Sequence, residues 1–444
     1  MKKHHETQFI HTPKIEAALD RAIAHHQGGQ LSKADRIFRS VLSSSPNHPM
    51  ALNYLGVLTH QLGKVEPAIR LLKKAVTVMP DYAEAQWNLA TVYAEQERWS
   101  DAEACCRTAL KFEPSAPPLL QTLADALRAQ GHVEESIGHY RRALAANPNS
   151  AMGHNNLGSA YYTLRKLDDA VASYMQAVRV DPGFALAQQN LANVLREQGR
   201  THEAIETLNK VLALEPDNVS ARHNLDALTG RTTDTAPKGY VKELFDPFAQ
   251  TFETHLQDKL HYVMPALMRR AMGKLGLDDH TYGTVVDLGC GTGLAGIQFK
   301  DLAKRLVGID LSKNMIREAE AKGVYDELLV DDIEGGLKTL SEPVDICVCA
   351  DVFVYVGKLE AIFDAVRQHM QPGALLVFST EHLEDGDAPD GFKLRDTSRY
   401  GHTKAYIDGL ASRFGFSIMH FEQAPLRKEK SGWITGTMYV LKHA

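Results

Sequence analysis

Six prolines, Pro46, Pro80, Pro114, Pro148, Pro182 and Pro216, stand at intervals of 34 residues, and no other feature of the chain limits its fold so tightly. A strict period of that length calls for one supersecondary unit, repeated, in which each copy buries its apolar face against the next. Alignment on the prolines puts a small residue twelve places earlier (Ala34, Ala68, Ala102, Ser136, Ala170, Ala204) and a bulkier one eight places earlier (Phe38, Leu72, Cys106, Tyr140, Tyr174, Leu208). The small residue lets two helices approach, and the larger one fills the groove beside it. Leu-Gly pairs recur in the preceding helix at Leu55 and Leu157, with Tyr93 and Tyr161 a turn further on.

These features resemble the tetratricopeptide repeat, a helix–turn–helix unit of 34 residues, in six copies over about residues 15 to 218. A solenoid of this kind needs a polar closing helix. VSARHNLDALTG from Val219 supplies one, so the solenoid is expected over 15–230, with the polar, turn-rich RTTDTAPKG as a linker at 231–239. The resemblance implies a concave surface that binds a protein or peptide. Asn88, Asn156, Asn190 and Asn224 each open an Asn-Leu pair at equivalent repeat positions, which would stack them into a column of amides. Such a column resembles the asparagine ladder of the protein O-linked N-acetylglucosamine transferases, where it grips the backbone of an extended peptide. The competing reading is that Asn is simply frequent at that repeat position.

At 444 residues the chain exceeds one ordinary core. A net charge of −6 argues against a protein built to neutralise phosphates, so no nucleic acid partner is expected. No apolar run reaches membrane-spanning length; the longest, ICVCADVFVYVG, contains Asp351. The start MKKHHETQFIHTPK lacks an apolar signal region, which makes the cytoplasm the expected location. Cys105, Cys106, Cys290, Cys347 and Cys349 form neither a disulfide framework nor a metal pattern. Cys347 and Cys349 alternate on an expected strand and so share a face. The 20 histidines include no H-E-x-x-H, and no metal is expected.

After Tyr240 the pattern changes to alternating strands and helices, the mark of a doubly wound parallel α/β sheet. TVVDLG, RLVGID, YDELLVDDI, VDICVCADV and GALLVFSTE read as five strands. The first runs into VVDLGCGTGLAG at 285–296, where Gly291, Gly293 and Gly296 spell G-x-G-x-x-G, and Asp310 lies 19 residues beyond Gly291. That spacing fits a dinucleotide fingerprint. Asp287 argues against it, because a carboxylate there would face the pyrophosphate that such loops cradle. Ligands of open α/β sheets sit at the carboxyl ends of the strands, so Asp287, Asp310, Asp332, Asp351 and Glu381 would crowd one rim. That rim repels a polyphosphate and suits a cationic ligand.

Residues 240–444 resemble a class I S-adenosylmethionine-dependent methyltransferase, a Rossmann-like domain. The glycine motif is DLGCGTG, with Asp287, Gly289, Gly291 and Gly293. In GIDLS the resemblance makes Asp310, with Leu311 beside it, the acid that holds both ribose hydroxyls. In VDDI it sets Asp332 near the adenine amine and Ile333 against the ring, and in CADVFVYV it runs Asp351 past the methionine end. FSIMHFEQA and GWITGTMYVLKH alternate with no helix between them, as the C-terminal antiparallel hairpin of that fold requires. YVKELFDPFAQTFETHL, LHYVMP and RDTSRYGHTKAYIDGLASRFGF resemble, more narrowly, bacterial methyltransferases that carry tetratricopeptide repeats. The segment before the first strand is expected to fold over the cofactor, with Tyr240 or Phe245 as lid aromatics and Tyr262 behind them; Phe245 and Phe248 read equally well as a packing face.

Methyl transfer is an in-line displacement that asks mainly for alignment and a dry site. An acceptor that must lose a proton also needs a base. His402 in the loop RYGHTKAY is the first candidate, for its near-neutral pKa, and Glu381 with His382 the second. Arg399, Tyr400, Arg427 and Lys428 are candidates for binding the acceptor. ADVF stands where base-methylating enzymes carry D/N-P-P-[FYW], which lowers DNA as acceptor. Three readings remain: a methyltransferase whose repeats bind the polypeptide substrate or the acceptor's carrier, a small-molecule methyltransferase whose repeats recruit a partner, and a non-enzymatic scaffold that keeps a cofactor fold.

Overall fold

The computed structural model describes residues 12–246, 249, 253, 262–429 and 432–444. The chain divides into two compact units, Met1–Thr207 and Leu208–Ala444. The first holds helix pairs: α1 (Pro13–Gln27) with α2 (Leu31–Ser44), α3 (Pro49–Gln61) with α4 (Val65–Val78), α5 (Ala83–Glu95) with α6 (Trp99–Ala109), α7 (Pro117–Ala129) with α8 (Val133–Ala146), and α9 (Ala151–Thr163) with α10 (Leu167–Val180). The sixth pair, α11 (Ala185–Glu197) and α12 (Thr201–Leu214), runs into the second unit.

The 34-residue prolines follow the second helix of each pair, where a residue without an N–H cannot continue the helix. The small residues at Ala34, Ala68, Ala102, Ser136, Ala170 and Ala204 are all wholly buried. The closest approach is made by the Leu-Gly glycines: a Cβ on Gly56 would lie 2.7 Å from Leu72, and one on Gly158 would lie 2.8 Å from Tyr174. The turn inside each pair needs a left-handed residue. Gly29, Gly63, Gly131 and Gly199 supply it, while Glu97 (φ 56°) and Arg165 (φ 60°) hold the same conformation with a side chain.

Among the described residues, the second unit holds an α/β sheet of nine strands. They are β1 (Tyr282–Leu288), β2 (Ala303–Asp310), β3 (Glu327–Val330), β4 (Val344–Cys349), β5 (Met370–Leu383), β6 (Phe392–Leu394), β7 (Tyr400–Thr403), β8 (Phe416–Glu429) and β9 (Gly432–His443). The order β3-β2-β1-β4-β5 is parallel throughout, with β9 antiparallel to β5 and β8 antiparallel to β9. All five expected parallel strands and the closing hairpin are thus present. One side of the sheet buries Val286, Leu288, Phe363 and Phe378, and Cys347 and Cys349 share that layer; the other buries Val285, Ile346, Met268 and Val440.

The short hairpin β6–β7 beside the end of β5 is a departure from the sequence reading, which took RYGHTKAY as loop. The helix expected to close the solenoid, α13 (Val219–Thr229), lies in the second unit with α14 (Lys238–Phe245). His223 Nε2–H donates to Ser398 O at 3.1 Å, and Ser398 Oγ donates to Asn224 Oδ1 at 2.7 Å, tying α13 to the β6–β7 turn. The segment read as a linker is tied down as well. Ala236 N donates to Tyr355 O at 2.9 Å, and Gly357 N and Lys358 N donate to Asp234 O at 3.0 and 2.8 Å. No helix among the described residues is long and apolar enough to cross a membrane.

Candidate active site

The glycine loop follows β1 and turns on three left-handed residues, Gly289 (φ 71°), Gly291 (φ 54°) and Gly293 (φ 93°). Gly289 N and Cys290 N donate to Ile309 O at 2.8 and 3.0 Å. Asp310, at the end of β2, accepts from Gly291 N at 2.9 Å through one oxygen and from Ser312 N at 2.8 Å through the other. The acid thus fixes the loop's shape, and its carboxylate retains lone pairs for further donors. A Cβ on Gly289 would lie 2.4 Å from Val352, so the loop also abuts the end of β4. Asp331 N donates to Asp310 O at 3.0 Å and Asp351 N to Ser379 Oγ at 2.9 Å. These links make one continuous rim, from β3 through β2, β1 and β4 to β5, that holds Asp287, Asp310, Asp332 and Asp351.

Asp287 is 2% exposed. One oxygen accepts from Tyr325 OH at 2.7 Å, and the other has no partner among the described residues. Burial pushes this carboxyl up to about 7, against the lowering effect of the Tyr325 hydrogen bond. Burial also raises Asp310. Asp332 behaves oppositely: Lys238 of α14 pairs with it, it caps helix α18 (Ile333–Thr339; α15, α16 and α17 are Met264–Lys274, Leu294–Phe299 and Lys313–Ala321) by accepting from Gly335 N at 2.7 Å, and these contacts lower its pKa. Leu311 and Ile333 are half-buried. Asp351 adopts a left-handed backbone (φ 60°), a strained position for a residue other than glycine.

Sequence reasoning missed Tyr325, which lies in YDELL with no motif to mark it. Its ring fills the space under the loop: a Cβ on Gly296 would lie 2.3 Å from its hydroxyl oxygen, and one on Gly293 or Gly308 3.0 Å from its ring. The third glycine of G-x-G-x-x-G is therefore spent on a tyrosine of the protein. Lys322, also missed, bonds Thr292 O in the loop and pairs with Glu253. The segment before β1 does reach the rim. Lys238 pairs with Asp332, Ser312 Oγ donates to Asp246, and Asn314 Nδ2 donates to Asp246 O at 3.1 Å.

Several expected residues lie elsewhere. Tyr240 is not a lid; it is 8% exposed, packed with Ala227, Ala236, Leu394 and Tyr400, its ring 4.5 Å from His223. Phe245 packs edge-on against Tyr355 at 5.5 Å. Tyr400 belongs to the same core; its hydroxyl meets Thr233 Oγ1 at 2.5 Å, and burial raises it to about 12. Arg399 closes the hairpin turn by accepting Arg395 N on its carbonyl at 2.8 Å. His402 is on β7, not in a loop. It is 1% exposed, its Nε2–H donates to Gly357 O at 2.9 Å, and burial lowers it to about 4. Burial thus holds the ring neutral, with Nε2 committed to a backbone carbonyl. Glu381, also buried, pairs with Arg395 at 3.3 Å. Its neighbour His382 contacts Thr437 Oγ1 at 3.2 Å and Glu384 at 3.3 Å. Arg427 lies on β8, but its side chain and Phe248 fall outside the described residues.

The asparagines divide. Asn88 Nδ2 donates to Asn53 Oδ1 at 2.9 Å, Asn156 Nδ2 to Asp125 Oδ1 at 3.1 Å and Asn190 Nδ2 to Asn155 Oδ1 at 2.9 Å, each linking neighbouring repeats of the first unit. Asn224 is in the second unit, 4% exposed and held by Ser398, so it cannot serve a peptide-binding column.

Profiles described as tetratricopeptide repeat match residues 19–78, 59–126, 122–185 and 157–219, and one described as methyltransferase domain matches 285–373. The chain is a run of tetratricopeptide repeats joined to a methyltransferase domain. Among curated proteins, the malonyl-[acyl-carrier protein] O-methyltransferase of Yersinia pestis is 33% identical over 23% of this chain and 38% of its own length. The ubiquinone biosynthesis O-methyltransferase of Paraburkholderia xenovorans is 32% identical over 22% of this chain and 44% of its own. The chain thus spans less than half the length of either relative. Among solved structures, YrrB, described as a TPR protein with an unusual peptide-binding site, is 21% identical over 42% of this chain and 96% of that one, with a TM-score of 0.37.

Proposed function

We propose that the second unit binds S-adenosylmethionine and passes its methyl group to an oxygen acceptor presented on a polypeptide or carrier that the repeats hold. The observation that carries the cofactor is Asp287, a buried acid with one unpartnered oxygen beside a loop of three left-handed glycines. An acidic rim favours a ligand with a sulfonium and an α-ammonium and repels a pyrophosphate. Gly289, Gly291 and Gly293 allow close backbone approach, Asp310 keeps lone pairs for a ribose diol, and Asp332 and Ile333 are the adenine-side residues. When bound, the cofactor supplies a methyl group on a sulfonium that loses its charge on transfer. The chain's part is alignment and exclusion of water. A carboxylate acceptor needs no base; for a hydroxyl, His382 with Glu384 is better placed than the sealed His402.

The oxygen acceptor rests on the names of the two relatives, both O-methyltransferases. The carrier reading draws on the first, whose named substrate is borne by an acyl-carrier protein, and on the repeats beside the catalytic domain. The test is transfer of labelled methyl groups from S-adenosylmethionine into a host lysate, separated into protein and small-molecule fractions, with the full chain and with residues 208–444. Label in protein that depends on residues 1–207 supports the proposal. Label confined to small molecules, at equal rates for both proteins, replaces it with a small-molecule methyltransferase whose repeats recruit a partner.

A further inference from the structure

The first unit contains a cleft of about 320 Å³ lined by Trp87, Pro118, Gln121, Asp125, Leu144 and Ser150, among others. Trp87 is held in place, since its indole N–H donates to Thr122 Oγ1 at 3.1 Å. Asp125 is the lining residue with a formal charge. Its Oδ1 accepts from Tyr140 OH and from Asn156 Nδ2, whereas Oδ2 has no hydrogen-bond partner among the described residues. No ion pair to Asp125 is formed among them either. Arg128, one turn along α7, acts on it through space and bonds its partner Tyr140, while the Nε of Arg128 is buried without a partner. Burial raises the Asp125 carboxyl, the condition that a guest cation would relieve.

We propose that this cleft takes the side chain of an arginine in an extended polypeptide lying along the repeats. The methylene stem lies against the apolar wall of Pro118 and Leu144, and the guanidinium meets the free Oδ2 of Asp125. Trp87 adds a flat aromatic partner, which a guanidinium uses better than an ammonium. An acidic side chain is repelled by Asp125, and an apolar one leaves the carboxylate desolvated and unpaired. Sequence discrimination thus enters through one pocket, while the neighbouring Asn156 retains a second amide hydrogen for a peptide carbonyl. The inference rests on the reading that the repeats bind a polypeptide.

The test uses the full chain and two labelled Gly/Ser peptides, one with a central arginine and one with citrulline, an uncharged isostere, in its place. Fluorescence anisotropy is expected to give a Kd at least about tenfold lower for the arginine peptide, a gap of roughly 1.4 kcal/mol. Asp125→Asn should erase the difference at an unchanged melting temperature. Should Asp125→Asn fail to fold, Trp87→Leu decides: a narrowed preference supports the pocket, and an intact one overturns it. Equal binding of the two peptides by the wild-type chain overturns the arginine pocket and leaves the polypeptide reading standing. Binding of neither overturns both.

Discussion

Asp287 combines two demands that conflict in most residues: it is buried, and one of its oxygens is unpaired. Tyr325 OH stabilises its ionised form, while Asp310 on β2 opposes ionisation; Cys290 in the loop and Cys349 on β4 also face it. With a carboxyl pKa of about 7, the group is neutral in mild acid and charged in mild base. A cationic ligand prefers the charged form, so affinity for S-adenosylmethionine should rise as pH increases through 7. Calorimetric titrations from pH 6 to 8 check this, with Asp287→Asn as the reference that lacks the step. Tyr325→Phe removes the hydrogen bond that favours the anion and should move the rise to higher pH; superimposable wild-type and Tyr325→Phe curves would refute a positioning role for the phenol. Asp310→Ala loses the bonds to Gly291 and Ser312 as well as those proposed to the ribose, and should weaken cofactor binding by about 2 to 4 kcal/mol. Gly291→Val should do at least as much, since φ of 54° strains any branched side chain. Normal affinity in either folded variant would mean that the loop does not meet the cofactor.

At the scale of elements, the repeat helices carry their polar bonds across repeats, and this alters what the asparagines can be expected to do. Asn88, Asn156 and Asn190 each give one amide hydrogen to the preceding repeat, which leaves the other for the proposed peptide. Replacing all three with Ala should lower the solenoid's melting temperature, at about 0.5 to 1.5 kcal/mol per lost bond, and also raise KM for a macromolecular acceptor about tenfold or more. Asn53→Ala with Asn155→Ala separates the effects, because those two are the buried acceptors of two of the three bonds, those from Asn88 and Asn190. That pair should lower the melting temperature and leave KM unchanged; an equal KM rise in both variants would make the asparagines packing elements. The 34-residue ruler and the five parallel strands were legible because each repeats one local pattern over many residues. The β6–β7 hairpin was not, since strands of three and four residues show no periodicity. His402 read as a loop base because nothing nearby marks the strand that buries it. Asn224 has the repeat's local pattern, and only its tertiary partner Ser398 separates it from the others. The rim acids were legible as strand ends, while Tyr325, which shapes the loop from below, comes from a distant segment without a motif.

For the molecule as a whole, the two units meet at 207/208, within α12 (Thr201–Leu214). His402 gives the second unit a signature in acid. Its folded pKa of about 4 lies below the unfolded value of about 6.5, so neutral His402 adds stability that is complete above about 6.5 and is lost as pH falls towards 4. The loss approaches 3 kcal/mol, and His402→Gln, uncharged throughout, should unfold less steeply in urea melts between those pH values. The same unit fixes where a methyltransferase fragment must start. A fragment beginning at 231, where sequence composition breaks, discards α13. Ser398 Oγ and its carbonyl then lose Asn224 and His223, and Tyr240, Leu394 and Tyr400 lose Ala227 and the His223 ring from their cluster. Two lost hydrogen bonds and an opened apolar face cost several kcal/mol, of order 3 or more. Residues 208–444 should therefore melt cooperatively and bind S-adenosylmethionine with the affinity of the full chain, while 231–444 should melt many degrees lower or fail to fold. Circular dichroism melts and calorimetry on the two fragments measure both. Equal melting temperatures would show that α13 is dispensable to the catalytic unit and return it to the solenoid as its closing helix.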